Sequence, residues 1–390
     1  MKVVLVVDSF APAWGYGGPP RLVATLANQL AKMGHEIVVL TTDVLDIHRF
    51  SSLRSESYRV IRVKNLSNQL AWRRKVFIPI PRMDVLSGFR DADVVHLFQT
   101  RSLLNVVGYI GARFRKAPLV FSPLGSLPRV GGLDKIPKRL YDAVFLRKMA
   151  GQVGAALGQT KHEMQVCENW GVEQTKVHLV PLCVNLDEYA SLPRGGSFVS
   201  KFAELRGIEQ TYLFIGRIHR FKGVEMLMRA FSKAFPRSKH MLVIAGKDEG
   251  GYLGHLKALA SALSILDRVL FLGPIYGHDK LEALVDSHAF AITPSIYEET
   301  SLAALEAAAC QTPIVTTAQA EIPWLEEYSA GFCVNYNLDS IAEGLVRMSD
   351  VMGEDRRRMG SRSRKLVEDH FSPLRVALQL EDIYRSLHAG

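Results

Sequence analysis

Glutamates stand at positions 298 and 306, with Glu299 beside the first, in a stretch made otherwise of alanine, leucine and other mostly small residues, PSIYEETSLAALEAAACQTPIV at 294–315. This composition is typical of a packed interior, where a carboxylate is rarely found without a partner. Ionised carboxylates accept paired hydrogen bonds from vicinal hydroxyls, which sugars and ribose supply. The two glutamates therefore face a polyhydroxylated ligand, face solvent, or pair with basic residues of the protein.

Two cations precede a predicted helix in the stretch GRIHRFKGVEMLMRAF at 216–231. Arg217 and Lys222 lie in the loop, and Gly223 opens the helix. An arginine fork and a lysine point charge beside a helix N-terminus suit a diphosphate. Solvated surface charge is the alternative.

A second phosphate contact is predicted at the helix that carries Glu306. Amide groups near its start, at residues 300–302, point outward from a helix N-terminus and favour an anion. Together these residues form a site for a diphosphate between two sites for hydroxyl groups. A nucleotide sugar has this order of groups: ribose, diphosphate and sugar.

A glycine-rich loop follows the first predicted strand, in SFAPAWGYGGPPRLV at 9–23. Gly15, Gly17 and Gly18 would let the backbone approach a phosphate closely at the start of a helix. Pro20 stands where the dinucleotide fingerprint requires its third glycine, so that fingerprint is absent. The alternative is an ordinary turn between a strand and a helix.

Short apolar runs alternate with helical patterns along nearly the whole chain, which predicts an α/β fold with two doubly wound parallel sheets. We expect an N-terminal domain at 1–193, a C-terminal domain at 194–372 and a last helix at 373–390 that packs back on the first domain. SLPRGGSFVS at 191–200 is the predicted linker. The default ligand site is the cleft between the domains, beyond the carboxyl ends of the strands.

Charge is spread unevenly along the 390 residues, whose formal net charge is +9. Residues 1–195 hold 26 Lys and Arg against 15 Asp and Glu, which leaves 22 against 24 for the remainder. A basic half predicts an anionic partner, and NQLAWRRKVFIP at 68–79 suits an anionic lipid surface because Trp72 and Phe77 flank three cations. A solvated loop is the alternative for this stretch.

The cysteines and the apolar runs indicate the cellular compartment of the protein. The four cysteines are scattered and form no CxxC pair, which disfavours zinc and disulfide frameworks. The first apolar run has five residues, and no window of about 18 uncharged apolar residues occurs. We expect a cytoplasmic protein, or one bound peripherally to the inner face of the cell membrane.

These motifs resemble those of the retaining glycosyltransferases of family 4, which have the GT-B fold of two Rossmann-like domains facing each other across a cleft. The matching stretches are GR…KG at 216–223, LVIAGKDEG at 242–250, DRVLFLG at 267–273 and the Glu-x7-Glu signature of Glu298 and Glu306. The glycine loop, LAKMGHEIVVLTT and DADVVHLF match in the N-terminal half. The resemblance covers essentially the whole chain.

The resemblance implies a role for each matching residue. Arg217 and Lys222 would bind the donor diphosphate, Glu306 the ribose hydroxyls, and Glu298 the donor sugar near the reacting carbon. His96 matches a family histidine that contacts the donor sugar, although a buried, hydrogen-bonded histidine is the alternative. The remaining predicted donor-binding positions are Gly17, Gly18, Gly216, Gly273, Pro274, Ile275, Thr300, Ser301 and Leu302.

The implied reaction moves a sugar from a UDP-, GDP- or ADP-sugar to a hydroxyl acceptor, with retention at the anomeric carbon and without a metal or other cofactor. The leaving phosphate would take the acceptor proton on the same face. The expected acceptor is a glycan or lipid-linked precursor of envelope polysaccharide or lipopolysaccharide. Two alternatives stay open: a non-catalytic nucleotide-sugar binder and a nucleic-acid-binding protein. Only the net positive charge supports the second alternative, so we expect no nucleic-acid partner.

The sequence departs from the family pattern at several positions. Glu299, Thr300 and Ser301 stand where a glycine, an aromatic or aliphatic residue and a second glycine are usual. Leu124 replaces a histidine or arginine, and VPLCVN at 180–185 puts Cys183 and Asn185 in place of glycine and aspartate. These changes bear on specificity for donor and acceptor.

Overall fold

The computed structural model describes residues 1–45, 57–80, 85–128, 135–294 and 300–389. The chain divides into two compact units. The first comprises Met1–Cys183 and Pro373–Gly390, and the second comprises Val184–Ser372. The stretch 191–200, predicted as a linker, therefore lies inside the second unit, where the Asp286 carboxylate accepts hydrogen bonds from the amides of Gly196, Phe198 and Val199.

The strands of the described residues are, in chain order, β1 (Lys2–Val6), β2 (Glu36–Thr42), β3 (Arg59–Val63), β4 (Val94–Phe98), β5 (Leu119–Ser122), β6 (Ala155–Gly158), β7 (Val177–Leu179), β8 (Gln210–Ile215), β9 (His240–Ala245), β10 (Val269–Leu272), β11 (Ala289–Ile292), β12 (Ile314–Thr317) and β13 (Gly331–Val334).

The α-helices of the described residues are α1 (Gly18–Lys32), α2 (Asn68–Arg74), α3 (Val85–Gly88), α4 (Leu103–Arg115), α5 (Lys135–Tyr141), α6 (Arg147–Ala150), α7 (Lys161–Asn169), α8 (Ser197–Lys201), α9 (Val224–Ala234), α10 (Tyr252–Ala262), α11 (Gly277–Asp286), α12 (Leu302–Ala309), α13 (Leu338–Ser349), α14 (Gly353–His370) and α15 (Pro373–Ala389).

The first unit is built on a seven-stranded parallel sheet in the order β3-β2-β1-β4-β5-β6-β7. The residues of β4 and β5 are buried throughout, as are those of β1 after Lys2, because helices cover both faces of a parallel sheet. α15 belongs to this unit and packs on α1 and β4, with Leu380 and Tyr384 buried.

The second unit is built on a six-stranded parallel sheet in the order β10-β9-β8-β11-β12-β13. The prediction of an α/β fold with two doubly wound parallel sheets is thereby confirmed. β3 and β13 were not predicted. Both are short strands at the edge of a sheet, where charged or half-exposed side chains such as those of Arg59 and Arg62 interrupt the apolar pattern.

None of the helices in the described ranges combines the length and the apolar character that crossing a lipid bilayer requires.

Candidate active site

The strand order of the second unit reverses direction at β8 and β11. From β8 the chain moves outward through β9 to β10, whereas β11 lies on its other side and leads to β12 and β13. The loops at the carboxyl ends of two such strands diverge and leave a crevice, which is the usual ligand site of a doubly wound sheet. The loop after β8 carries Arg217 and Lys222, and the loop after β11 leads to α12 and Glu306.

The loop after β8 is held tightly against the end of β11. Gly223 adopts a left-handed conformation with φ +67°, and a Cβ atom added there would lie 1.5 Å from the carbonyl oxygen of Thr293. The Thr293 hydroxyl donates a hydrogen bond of 3.2 Å to the Gly223 carbonyl. Only glycine permits this approach, so Gly223 fixes the loop with Lys222 next to the switch point.

A second close approach joins the ends of β8, β9 and β10. The amide of Gly216 donates to the Ala245 carbonyl at 3.0 Å, and that of Gly246 donates to the Gly273 carbonyl at 3.2 Å. A Cβ added at Gly246 would lie 1.7 Å from the Gly216 oxygen. Three of the predicted site positions, Gly216, Gly273 and the Pro274 that follows it, thus lie at one edge of the sheet, with Ile275 next along the chain.

The predicted diphosphate ligand Arg217 has an acidic partner. Its Nη1 atom lies 2.9 Å from Oε2 and 3.2 Å from Oε1 of Glu249, in the loop after β9. The pair is exposed, with 60% of the Arg217 side chain accessible. Lys222 is half-buried at the end of the 3₁₀ turn Arg220–Lys222.

The start of α12 lacks a side-chain cap among the described residues. Within the described residues, the Ser301 side chain makes no capping hydrogen bond, and the helix begins at Leu302. The Thr300 hydroxyl donates instead to the Glu321 carbonyl at 3.0 Å. Glu298 and Glu299 lie outside the described residues, so the predicted role of Glu298 stays a prediction.

Glu306 lies in the second turn of α12 and pairs with a basic residue, the alternative to ligand binding considered above. Lys280 of α11 places Nζ 2.6 Å from Oε2 of Glu306, and both side chains are largely buried. Tyr189 lies on a short segment that packs on α12, and burial followed by the Glu306 charge raises the pKa of its phenol. The predicted contact between Glu306 and a ribose stays a prediction.

His96 lies on β4 in the interior of the first unit and is 1% exposed. Its Nδ1 atom lies 2.6 Å from the Tyr384 hydroxyl, and its Nε2 atom lies 2.8 Å from the Ser122 hydroxyl. Burial lowers the pKa of His96 to about 3, so the ring is neutral at pH 7. A small cavity of about 20 Å³ adjoins it, lined also by Phe98 and Leu124. Contact with a donor sugar stays a prediction for this residue.

The glycine loop of the first unit leads directly into α1. Gly17 is the residue before the helix, with φ +105°, and Gly18 is its first residue. No described atom lies within 4 Å of a Cβ built at Gly17, so the N-terminus of α1 is accessible there. Asp8, which the sequence analysis did not assign to a site, ends the preceding strand region and is buried, and Ser102 donates a 2.5 Å hydrogen bond to it.

Four residues that lie beside or contact the predicted site positions were missed: Asp8, Glu249, Lys280 and Tyr189. The position of Asp8 directly after an apolar strand was a usable signal, because polar groups at the carboxyl ends of parallel strands collect at one edge. Glu249, Lys280 and Tyr189 are identified only by the side chains near them in the structure, and no spacing in the sequence predicts those contacts.

Comparison with known proteins identifies both halves of the chain. Residues 17–183 match the family model described as a glycosyl transferase 4-like domain, and residues 209–350 match that of glycosyl transferases group 1. An uncharacterised glycosyltransferase of Methanocaldococcus jannaschii is 26% identical, over 99% of this chain and 98% of the relative. The alpha-monoglucosyldiacylglycerol synthase of Streptococcus pneumoniae is 24% identical, over 81% of this chain and 70% of that enzyme.

Solved structures share the architecture. The Anabaena protein HepE in complex with UDP has a TM-score of 0.74 at 16% identity, with 99% of this chain and 100% of that chain covered. HepE has also been solved with UDP-glucose. The predicted GT-B fold of two Rossmann-like units is therefore confirmed, and the chain carries a glycosyl transferase 4-like domain and a glycosyl transferases group 1 domain, in agreement with the resemblance to family 4.

Proposed function

We propose that the protein transfers a sugar from a nucleotide diphosphate sugar to a hydroxyl acceptor, with retention at the anomeric carbon and without a metal ion. One observation carries the proposal: Gly223 holds the loop of Arg217 and Lys222 against the end of β11, from which the chain leads to the N-terminus of α12. Two cations and a helix N-terminus there supply positive charge of the kind that a departing diphosphate needs.

The donor would be bound through its nucleotide. Arg217 and Lys222 would neutralise the diphosphate, helped by the amides at residues 300–302. The backbone after β10, at residues 273–275, would face the nucleobase, and Glu306 would accept hydrogen bonds from the ribose. The structures of HepE with UDP and with UDP-glucose support a nucleotide sugar as the donor class.

The chemical step would rest on positioning and electrostatics. Glu298 would orient the donor sugar by its hydroxyls and would not act as a nucleophile, and His96 would contribute to the same recognition. The acceptor would lie beside Gly17 and Gly18, and its hydroxyl proton would pass to the leaving phosphate on the face of attack. The anomeric configuration is kept because departure and attack occur on one face.

The first experiment identifies the donor. A thermal-shift panel of UDP-, GDP- and ADP-sugars should show one class that raises the melting temperature, because a ligand that binds the folded state stabilises it by mass action. Nucleotide release with and without acceptor extracts then separates an enzyme from a non-catalytic nucleotide-sugar binder. Turnover unchanged by EDTA supports metal independence, and NMR of the product anomer tests retention.

Two substitutions test the site. Lys222→Ala and Glu298→Gln should each lower turnover by more than about tenfold, because each removes a charged contact to the transition state. Lys257→Met, an exposed substitution on α10, is the control and should leave turnover unchanged. Wild-type rates in both site variants would reject the assignment.

We also propose an anionic membrane surface as the place where a lipid-linked acceptor is met. Residues 57–80 contain six Lys and Arg and no Asp or Glu. Backbone hydrogen bonds join the two ends of this segment. The amide of Leu66 donates to the carbonyl of Ile78, and the amide of Ile80 donates to the carbonyl of Lys64. Leu66, Val76 and Ile80 are exposed apolar side chains beside these cations, a combination that suits the headgroup region of an anionic bilayer.

Lys75 couples this surface to the glycine loop. Its ammonium group lies 4.4 Å from the ring centre of Tyr16 and 4.8 Å from that of Trp72, and the two rings meet edge to face at 5.4 Å. A lipid headgroup bound at α2 would therefore lie next to the loop proposed for the acceptor. The family relationship to a diacylglycerol glucolipid synthase of Streptococcus pneumoniae is consistent with a lipid acceptor.

Co-sedimentation with vesicles tests the membrane proposal. Binding to vesicles of phosphatidylcholine and phosphatidylglycerol should weaken in the variant Trp72→Ala with Arg73→Glu, and it should weaken with added salt. Lys148→Glu, a charge reversal at another exposed site of the same unit, is the matched control. Equal binding of the double variant and the wild type would reject this surface.

A further inference from the structure

We propose that Lys280 and Tyr189 are positioning residues for nucleotide recognition: they hold the Glu306 carboxylate so that its remaining acceptor sites fit the two hydroxyls of a ribose. This inference rests on the proposed function and adds two residues to it. Neither residue belongs to the motifs that identify the family in the sequence, and both lie in the second unit with Glu306.

The ion pair with Lys280 is short and sheltered. Nζ lies 2.6 Å from Oε2 of Glu306, with the lysine side chain 18% exposed and the glutamate side chain 14% exposed. A shielded, charge-assisted contact fixes a carboxylate much more firmly than a pair in open solvent does. Lys280 belongs to α11 and Glu306 to α12, so the contact links two helices.

We infer that Tyr189 contacts the carboxylate from a second element, because the segment that carries it packs on α12. It ends the 3₁₀ segment Leu186–Tyr189 and is 4% exposed. Arg364 of α14 fixes its backbone, because one guanidinium nitrogen donates to the carbonyl of Tyr189 at 3.0 Å and to that of Ala309 at 2.8 Å. Because burial and the neighbouring Glu306 charge raise its pKa, the phenol is protonated at pH 7 and can donate a hydrogen bond to Glu306.

The surroundings leave Glu306 as the acidic group of the cluster. Cys310, the residue that follows the end of α12, is buried, and burial together with the Glu306 charge raises the pKa of its thiol to about 12. The thiol therefore adds no second negative charge at pH 7. A carboxylate offers about four acceptor sites. Lys280 engages one of them, and a hydrogen bond from Tyr189 would take a second, which leaves a pair of sites for a vicinal diol.

The test compares ribose with deoxyribose in the ligand. Isothermal titration calorimetry measures the binding of UDP, GDP and ADP and of the 2′-deoxy form of each. For the nucleotide that binds, wild type should prefer the ribose form by about tenfold, the effect expected for a hydrogen bond to a charged group. Lys280→Met and Tyr189→Phe should each reduce that preference to about twofold or less, by weakening the ribose form.

Two variants control for charge and for fold. Lys280→Arg keeps the positive charge and should restore most of the preference. Lys233→Met breaks an exposed ion pair in which Lys233 Nζ lies 2.6 Å from the Asp339 carboxylate, and it should leave the preference at the wild-type value. Melting temperatures confirm that the variants are folded, and Tyr189→Phe carries the test if Lys280→Met does not fold.

The possible failures are distinguishable. If wild type binds none of the three nucleotides, the proposed function fails and the inference fails with it. If wild type prefers the ribose form and both Lys280→Met and Tyr189→Phe keep that preference, the positioning role is rejected while the proposed function stands. If wild type binds a nucleotide without any preference, Glu306 does not recognise the 2′-hydroxyl and the inference is also rejected.

Discussion

The Nδ1 atom of His96 and the hydroxyl oxygen of Tyr384 lie 2.6 Å apart, although 288 positions separate the two residues in the chain. The contact joins β4 in the middle of the first sheet to α15 at the end of the chain. Both rings are buried, and Ser122 of β5 occupies the other ring nitrogen of His96. The last helix is thus part of the first unit's interior, where a neutral imidazole donates through one nitrogen and accepts through the other.

Tyr384→Phe should lower the free energy of unfolding by about 1–3 kcal/mol, because it leaves a ring nitrogen of His96 buried without a partner. Urea unfolding followed by circular dichroism measures the change. Tyr109→Phe is the matched control, because its hydroxyl also makes a 2.6 Å hydrogen bond, to Gln152, but at the exposed surface. An equal effect of the two substitutions would contradict the structural role of the His96–Tyr384 contact.

Asp8 should make the stability depend on pH in the opposite sense to an ordinary surface carboxylate. Burial raises the pKa of Asp8 from 3.8 to about 7, and the hydrogen bond from Ser102 offsets part of that rise. Between pH 4 and pH 7 the folded state therefore holds a proton that the unfolded state has lost. The contribution of Asp8 to stability is present below pH 4 and is lost as the pH rises toward 7.

The variant Asp8→Asn removes this dependence. It should be more stable than wild type at pH 8 by on the order of 2–4 kcal/mol, and the difference should shrink toward pH 4. Melting curves at several pH values measure it, with the exposed substitution Asp91→Asn as control. A difference that did not change between pH 4 and pH 8 would contradict the raised pKa.

Gly223→Ala should disrupt the cation-bearing loop. The added Cβ would meet the Thr293 backbone at 1.5 Å in a left-handed conformation, so loop and strand must separate, at a cost of more than about 2 kcal/mol. Gly273→Ala is the control, because no described atom lies within 4 Å of its added Cβ. Thermal melting measures the difference. Equal melting temperatures of the two variants would show that the loop is not held at Thr293.

The fold was predictable because its evidence is local. Uninterrupted apolar runs such as that of β1, followed by helices with a proline at the start and a glycine beyond the end, specify strand and helix without long-range contacts. β13 escaped prediction because it begins with a glycine, a residue that is depleted in strands, and its other residues are only half-buried. Its first residue, Gly331, lies so close to β12 that an added Cβ would meet the Ile314 carbonyl at 2.1 Å.

The site was predictable only in part. The switch-point loops could be placed, since residues that follow successive parallel strands gather at one edge. The partners of the charged residues could not, because each pairs with a residue on another element: Glu306 with Lys280, and Arg217 with Glu249. Such pairs depend on helix packing and side-chain direction, which a single sequence does not encode in any spacing.

The pair of Arg217 and Glu249 leads to a prediction about donor affinity. If Arg217 binds the diphosphate, Glu249 competes with the ligand for the guanidinium group and repels the incoming negative charge. Glu249→Gln should therefore tighten nucleotide diphosphate binding by about twofold to fivefold, a modest gain because the pair is exposed to solvent. Arg217→Ala should weaken the same binding by about tenfold or more.

Calorimetric titration with UDP, GDP and ADP at low and high salt measures both effects. Glu354→Gln is the matched control for Glu249→Gln, because Glu354 also forms an exposed ion pair at 2.9 Å, with Arg357 of α14. The gain from Glu249→Gln should shrink at high salt, where exposed charges are screened. In the Arg217→Ala background, the affinity gain from Glu249→Gln should fall to the small contribution from long-range repulsion between Glu249 and the diphosphate. A full gain in the absence of Arg217 would show that Glu249 acts on the nucleotide directly, so that Arg217 does not mediate its effect.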